Sequence, residues 1–183
     1  MSKLWLGLAT IVLTGGVLSV SYRQASAQAV GAAELKAAFL FNFTKFSDWP
    51  DLPAGSPLTI CVLGDQAVTR TLTGLVRGQR VDDRQLDVVK IRADDSVDHC
   101  HVLFVAALET TTASLLLDTA SKLPILTVSD REGFATATGL IELFVEGDRM
   151  RFAVNVAAVQ RSKVRVSSRL LQMAKIVGDK SAP

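Results

Sequence analysis

Short apolar segments alternate with stretches of helical periodicity along this chain, and this alternation is what most constrains the fold. Residues 58–64, 101–107 and 124–130 read LTICVLG, HVLFVAA and PILTVSD. Continuous apolar runs of this length are typical of strands buried on both faces. Residues 66–77 and the segment TTASLLLDTASK have helical spacing instead, and 86–92 is a further strand. The alternation predicts an α/β fold of three layers, with helices on both faces of a mainly parallel sheet.

The C-terminal third contains a different pattern. The segment LIELFVEGDRMRFAVNV alternates apolar and polar residues on either side of 146–149, which predicts an antiparallel hairpin at the edge of the sheet. The preceding segment, 131–139 (REGFATATG), is predicted to be a loop. A last helix is predicted from Ser167 or Ser168 as N-cap to Ile176.

The first predicted helix, 31–47, is unusually aromatic. Its apolar stripe follows helical spacing, with Leu35, Phe39, Phe43 and Phe46. Trp49-Pro50 is expected to end the helix, because the residue before a proline disfavours helical geometry.

The N-terminal segment has the pattern of an export signal. A basic start at Lys3 precedes an uncharged run over 4–22, and two small-x-small sites follow. We therefore predict a signal peptide at residues 1–27, with cleavage after Ala27 or Ala29. The alternative is an uncleaved membrane anchor, because the apolar run is nearly long enough to span a bilayer.

Removal of the signal changes the charge balance. The 20 basic residues fall to 18 when Lys3 and Arg23 are lost, which equals the 18 acidic residues. A near-neutral chain without a basic block offers no electrostatic reason to bind nucleic acid. The remaining length predicts a single domain over 30–178, followed by a frayed tail at 179–183.

Two cysteines, Cys61 and Cys100, lie in the predicted mature chain. In an oxidising compartment an even pair indicates one disulfide. The alternative is two buried free thiols. Because Cys61 lies in the first predicted strand and Cys100 just before the third, a bond requires these strands to lie close together.

Motifs for cofactors and metals are weak. Neither G-x-G-x-x-G nor G-x-x-x-x-G-K-[ST] occurs in the sequence, so phosphate binding is not supported. His99 and His101 would share a face if they lay on a strand, which is the minimum for a metal site, but spacing suggests no third ligand. We therefore predict no cofactor and no metal.

Catalytic patterns are also weak. Ser129 follows a strand and precedes Asp130, but no G-x-S-x-G motif accompanies it. Glu142 and Glu146 would lie on one face of the hairpin, where a solvated surface is the simpler interpretation than paired catalytic acids. We predict no catalytic residues, and an enzyme such as a hydrolase is disfavoured.

Several of these segments together resemble the YfiR family of exported bacterial proteins. They are LKAAFLFNFTKFSDWP, ICVLGD, HCHVLFV, PILTVSDREGFATATGLIELFVEGDRMRFAVN and VSSRLLQMAKIV. The resemblance implies a periplasmic, non-catalytic regulator that binds the periplasmic sensing domain of an inner-membrane diguanylate cyclase. It also implies release of that restraint by an outer-membrane lipoprotein, with effects on cyclic di-GMP and biofilm formation. Cys61 and Cys100 match the family's disulfide, whereas a second pair found in some members is missing from this sequence.

A binding regulator needs an exposed apolar patch, for which the candidates are Phe41, Phe134, Leu140 and Leu171. Whether the chain forms a homodimer is left open. The alternative is a periplasmic solute-binding module serving a membrane sensor or receptor. Such a module would need a polar cleft at the carboxyl ends of the strands, near residues 64, 106 and 129.

Overall fold

The computed structural model of the protein describes residues 18–109, 111–137 and 139–178. The helices are α1 Leu18–Lys45, α2 Gln66–Val76, α3 Ser114–Ala120, α4 Phe134–Ala137, α5 Val156–Arg161 and α6 Ser168–Met173. The strands are β1 Ser47–Asp48, β2 Leu58–Leu63, β3 Arg80–Val81, β4 Arg84–Ile91, β5 Val102–Val105, β6 Leu126–Ser129, β7 Ile141–Glu146, β8 Arg149–Asn155, β9 Arg165–Val166 and β10 Lys175–Val177. Residues 1–17 of the predicted signal peptide and the tail 179–183 lie outside the described residues.

The main sheet has eight strands in the order β10-β8-β7-β6-β5-β2-β4-β3. Strands β4, β2, β5, β6 and β7 pair in parallel with one another in this order. The pairs β7–β8 and β3–β4 are antiparallel. The four strands predicted before the hairpin correspond to β2, β4, β5 and β6, and the mainly parallel α/β fold is confirmed.

The two faces of β2 show why the sheet is covered on both sides. Ile60 and Val62 belong to the core that the sheet forms with α1 and α2. Cys61 and Leu63 belong to the core on the opposite face, where α3 packs. Because successive strand residues point to opposite faces, an uninterrupted apolar run needs a helix on each side.

Helix α1 packs through its aromatic side chains. The Phe39, Phe43 and Phe152 rings lie with their centroids 5.3 to 5.9 Å apart, which places α1 against β8. The helix ends at Lys45, two residues earlier than predicted. The reason is that Ser47 and Asp48 pair with β9 as strand β1.

The C-terminal region differs from the prediction in three ways. The β7–β8 hairpin is present, but β10 pairs in parallel with β8 and forms the outer strand. The last helix therefore ends at Met173, although Ser167 caps its N-terminus as predicted by accepting the N–H of Leu170. The predicted loop 131–139 contains α4.

Among the residues that the structure describes, no helix combines the length and the apolar character needed to cross a membrane.

Candidate functional site

The disulfide joins Cys61 of β2 to Cys100, with Cα atoms 5.7 Å apart. Both residues are buried in the core beneath α3. The parallel pairing of β2 with β5 brings them together, and the His101 N–H, next to Cys100, donates to the Thr59 carbonyl at 2.9 Å. The predicted bond is confirmed.

The two histidines beside Cys100 do not share a face, contrary to the strand-based expectation. Nδ1 of His101 accepts the N–H of Thr59 at 3.0 Å, and its ring stands edge-on to Trp49. Nε2 of His99 instead lies 3.7 Å from Sγ of Cys61. His99 belongs to a turn, since β5 begins only at Val102, so strand alternation does not apply to it.

The environment of His101 favours its neutral form. Burial lowers the pKa of His101 below the ordinary 6.5, and the charges of Arg84 and His99 lower it further. A neutral imidazole is what accepts the backbone N–H of Thr59. His101 is therefore a structural acceptor here.

A cluster of ion pairs lies at the carboxyl ends of β2 and β6. Nζ of Lys36 in α1 lies 3.3 Å from the Asp65 carboxylate and 2.5 Å from that of Asp130. Asp65 also caps α2 by accepting the N–H of Val68, and Asp130 accepts that of Ala107. Burial lowers the pKa of Lys36, but hydrogen bonding and the charges of the two aspartates outweigh it and raise the pKa above 10.5.

This edge is where the alternative solute-binding module would need its cleft, because β4 and β5 lie on opposite sides of β2 and the strand order reverses there. At Gly64 and Ser129 the protein's own side chains occupy the available space. Gly64 turns with a φ of +84°, and a Cβ at this position would collide with the Glu109 side chain. Ser129 is fully buried and its Oγ accepts the N–H of Arg131, so it is not placed as a nucleophile.

Glu142 and Glu146 do not form a pair of acids on a solvated face. Glu142 is buried, and its two carboxylate oxygens accept the N–H groups of Gly133 and Ala135 at 3.2 and 3.1 Å. Glu146 is exposed and lies 3.6 Å from Arg151. The solvated interpretation holds for Glu146 only, because Glu142 anchors the start of α4 to β7.

Beside α4 lies a groove of about 620 Å³. It crosses β7, β8 and β10 on the same face of the sheet as α3, beyond the strands that α3 covers. Glu142, Ala153 and Lys175 are cross-strand neighbours on β7, β8 and β10, so they form one row across its floor. Its rim includes Glu132 and Thr136.

On the other side of α4, a second groove of about 360 Å³ separates α4 from α3. It is lined by Ser114 and Leu117 of α3 and by Phe134 of α4. Glu132 and Gly133 line both grooves. We call α4 with its two flanking grooves the α4 surface.

Two exposed apolar side chains lie on the elements that form the α4 surface. Val145, which lines the first groove, is 66% exposed, and Leu115 of α3, which is outside the lining of the second groove, is 82% exposed. Such side chains are what a protein partner can cover.

The four predicted partner-binding residues are mostly interior. Phe41, Phe134 and Leu140 are only 8%, 5% and 4% exposed, and Leu171 is half-buried against the core. Phe134 was expected in a loop, but it begins α4 and its ring fills the space above Gly139. Phe41, Phe134 and Leu140 are core residues in this conformation, and the partner-binding role of all four positions stays a prediction.

Of the predicted partner-binding residues only Phe134 lines a groove, and the other groove-lining residues were not predicted to bind a partner. Lys175 enters the floor only because β10 pairs with β8, and Thr136 lies on a helix that was predicted to be a loop. Neither position carries a local motif.

A comparison with protein families finds one family model that covers most of the chain. The YfiR/HmsC-like family model matches residues 33–175, from the middle of α1 to the first residue of β10. The matched range includes the disulfide, the Lys36 cluster and α4. The chain belongs to the YfiR/HmsC-like family.

Proposed function

We propose that this protein is a periplasmic regulator that binds the sensing domain of an inner-membrane diguanylate cyclase, or a related sensor, and restrains cyclic di-GMP synthesis. Family membership is consistent with regulators of this class. Binding would act by mass action: the bound partner is held in its inactive arrangement, and titration of the regulator by another protein, such as an outer-membrane lipoprotein, releases it. Control of biofilm formation would follow from the cyclic di-GMP level.

The α4 surface is the observation that carries this proposal. It combines two grooves on one side of the sheet with an exposed apolar side chain, Val145, in the lining of the first groove. Two of the acidic groups beside it are already engaged, since Glu142 accepts two backbone N–H groups and Asp130 forms an ion pair with Lys36. A surface of this kind suits a protein contact better than a reaction.

A periplasmic location is part of the proposal. The Cys61–Cys100 disulfide is typical of an oxidising compartment. The predicted signal peptide agrees with it, and the family resemblance points to the same compartment.

One observation favours the second candidate, a solute-binding module. The first groove, at about 620 Å³, lies within the range of about 300–1,000 Å³ typical of small-molecule sites. In that case Lys175 and Glu132 would be the charged groups available at its walls.

The test uses a matched pair of threonines. Thr136 on α4 and Thr73 on α2 are both exposed, and each donates its hydroxyl to a backbone carbonyl of the preceding turn. Only Thr136 borders the first groove, whereas α2 covers the opposite face of the sheet. Thr136→Arg should therefore block a partner at the α4 surface, and Thr73→Arg should not.

A deletion strain complemented with the parent or either variant gives the readout. We expect Thr136→Arg to leave cyclic di-GMP at the deletion level and to lose co-purification of the inner-membrane sensor, while Thr73→Arg behaves like the parent. If deletion leaves cyclic di-GMP unchanged and no inner-membrane sensor co-purifies, the regulator assignment is wrong. Saturable binding of a periplasmic solute, lost in Thr136→Arg, would then favour the second candidate.

A further inference from the structure

Three atoms that suit zinc converge where β2 meets the turn before β5. They are Sγ of Cys61, Sγ of Cys100 and Nε2 of His99, and all lie within 4.8 Å of one another. Nε2 of His99 is 3.7 Å from one sulfur and 3.9 Å from the other. In the oxidised chain both sulfurs are committed to the disulfide, so the set is complete only after reduction.

The backbone around the cluster is compatible with a metal. Two thiolates on one tetrahedral zinc lie about 3.8 Å apart, given Zn–S bonds of about 2.3 Å. With Cα atoms 5.7 Å apart, Cys61 and Cys100 can reach this separation by side-chain rotation. The turn that carries His99 is held in place by the Cys100 N–H, which donates to the Val97 carbonyl at 2.9 Å.

Solvent access and the engagement of neighbouring side chains elsewhere also favour Cys61, Cys100 and His99 as the metal ligands. Cys61 and Cys100 are buried, whereas His99 is exposed, so an ion can reach the sulfurs from the side of the imidazole. The neighbouring Asp98 carboxylate is bonded to the Ser96 hydroxyl at 2.7 Å and does not belong to the cluster. His101 is engaged with Thr59 and lies outside it as well.

We propose that, when the Cys61–Cys100 bond is reduced, this cluster binds one Zn²⁺ through two thiolates and the His99 imidazole, with water as the fourth ligand. The inference is independent of the proposed function. A dithiol supplies the two electrons by thiol–disulfide exchange, which yields two cysteine thiols and the cyclic disulfide of the dithiol. Both thiols lose their protons to solvent when they bind the ion. The metal then replaces the covalent bond as the link between β2 and the turn before β5.

The experiment compares oxidised and reduced chain beginning at Val30. The chain is reduced with dithiothreitol, desalted without oxygen and titrated with Co²⁺, then with Zn²⁺. We expect one equivalent of Co²⁺ with thiolate charge-transfer absorption, its displacement by Zn²⁺, and two protons released to a pH indicator. The oxidised chain should show none of these.

Two variants identify the third ligand. His99→Gln should weaken binding by at least about tenfold, since even outer-shell changes at metal sites cost that much. Asp98→Asn, an exposed neighbour outside the cluster, should bind like the parent. The proposal is overturned if the reduced parent takes up less than one equivalent, whether or not circular dichroism shows it folded, or if His99→Gln binds as tightly as the parent.

Discussion

Loss of the disulfide should lower stability by an amount that follows from the spacing of the two cysteines. The bond closes a loop with a sequence separation of 39 residues. By the chain-entropy relation, opening a loop of this length stabilises the unfolded chain by about 4 kcal/mol at 25 °C. For a chain of this size each kcal/mol shifts the melting temperature by about 2–4 °C, so we expect a fall of about 8–16 °C.

Two forms without the bond should be compared with the oxidised parent. The first is the parent with reductant and a metal chelator, and the second is Cys61→Ser, which additionally places a hydroxyl in a fully buried position. Both should melt well below the oxidised parent by circular dichroism, and the variant should be insensitive to reductant. Equal melting temperatures of the parent with and without reductant would refute the reasoning, because the bond would then contribute nothing.

Three further predictions concern other parts of the fold. Lys36→Met should lower the free energy of unfolding by about 2 kcal/mol in denaturant titrations, because it leaves two partly buried carboxylates unpaired; an unchanged midpoint would contradict this. The lowered pKa of His101 means that the unfolded chain binds more protons than the folded one, so stability should fall as pH drops from 6.5 through the lowered pKa. The free energy of unfolding should be measured against pH for the parent and for His101→Gln. The difference between the two curves should have a slope of at most about 1.4 kcal/mol per pH unit, which corresponds to one proton. Identical curves would exclude a contribution of His101. Gly139→Ala should cost about 1–3 kcal/mol in the same titrations because its Cβ collides with the Phe134 ring, and a neutral result would mean that the ring moves freely.

Local pattern was enough to predict most of the elements. The uninterrupted apolar runs of β2, β5 and β6 need cover on both faces, so they predict the layers before any contact is known. The hairpin turn at Gly147 and the N-cap at Ser167 are set by neighbouring residues, and both were predicted correctly.

The candidate site was much less predictable. Three of the four proposed partner-binding positions, Phe41, Phe134 and Leu140, are buried, because residue type does not show whether an apolar side chain faces the core or solvent. Helix α4 is only four residues long and depends on the Glu142 carboxylate, which comes from β7. A helix this short has too few internal hydrogen bonds to be recognised from its own sequence.

The sequence by itself determined the α/β layering, the cysteine pair and the family pattern, because each depends on residue type and local spacing. Only the tertiary structure decided that β10 extends the sheet, that Lys36 bridges Asp65 and Asp130, and that His99 approaches Sγ of Cys61. Each of these contacts joins segments that are distant in the chain. Their partners are chosen by the packing of the whole domain, and local propensity carries no information about them.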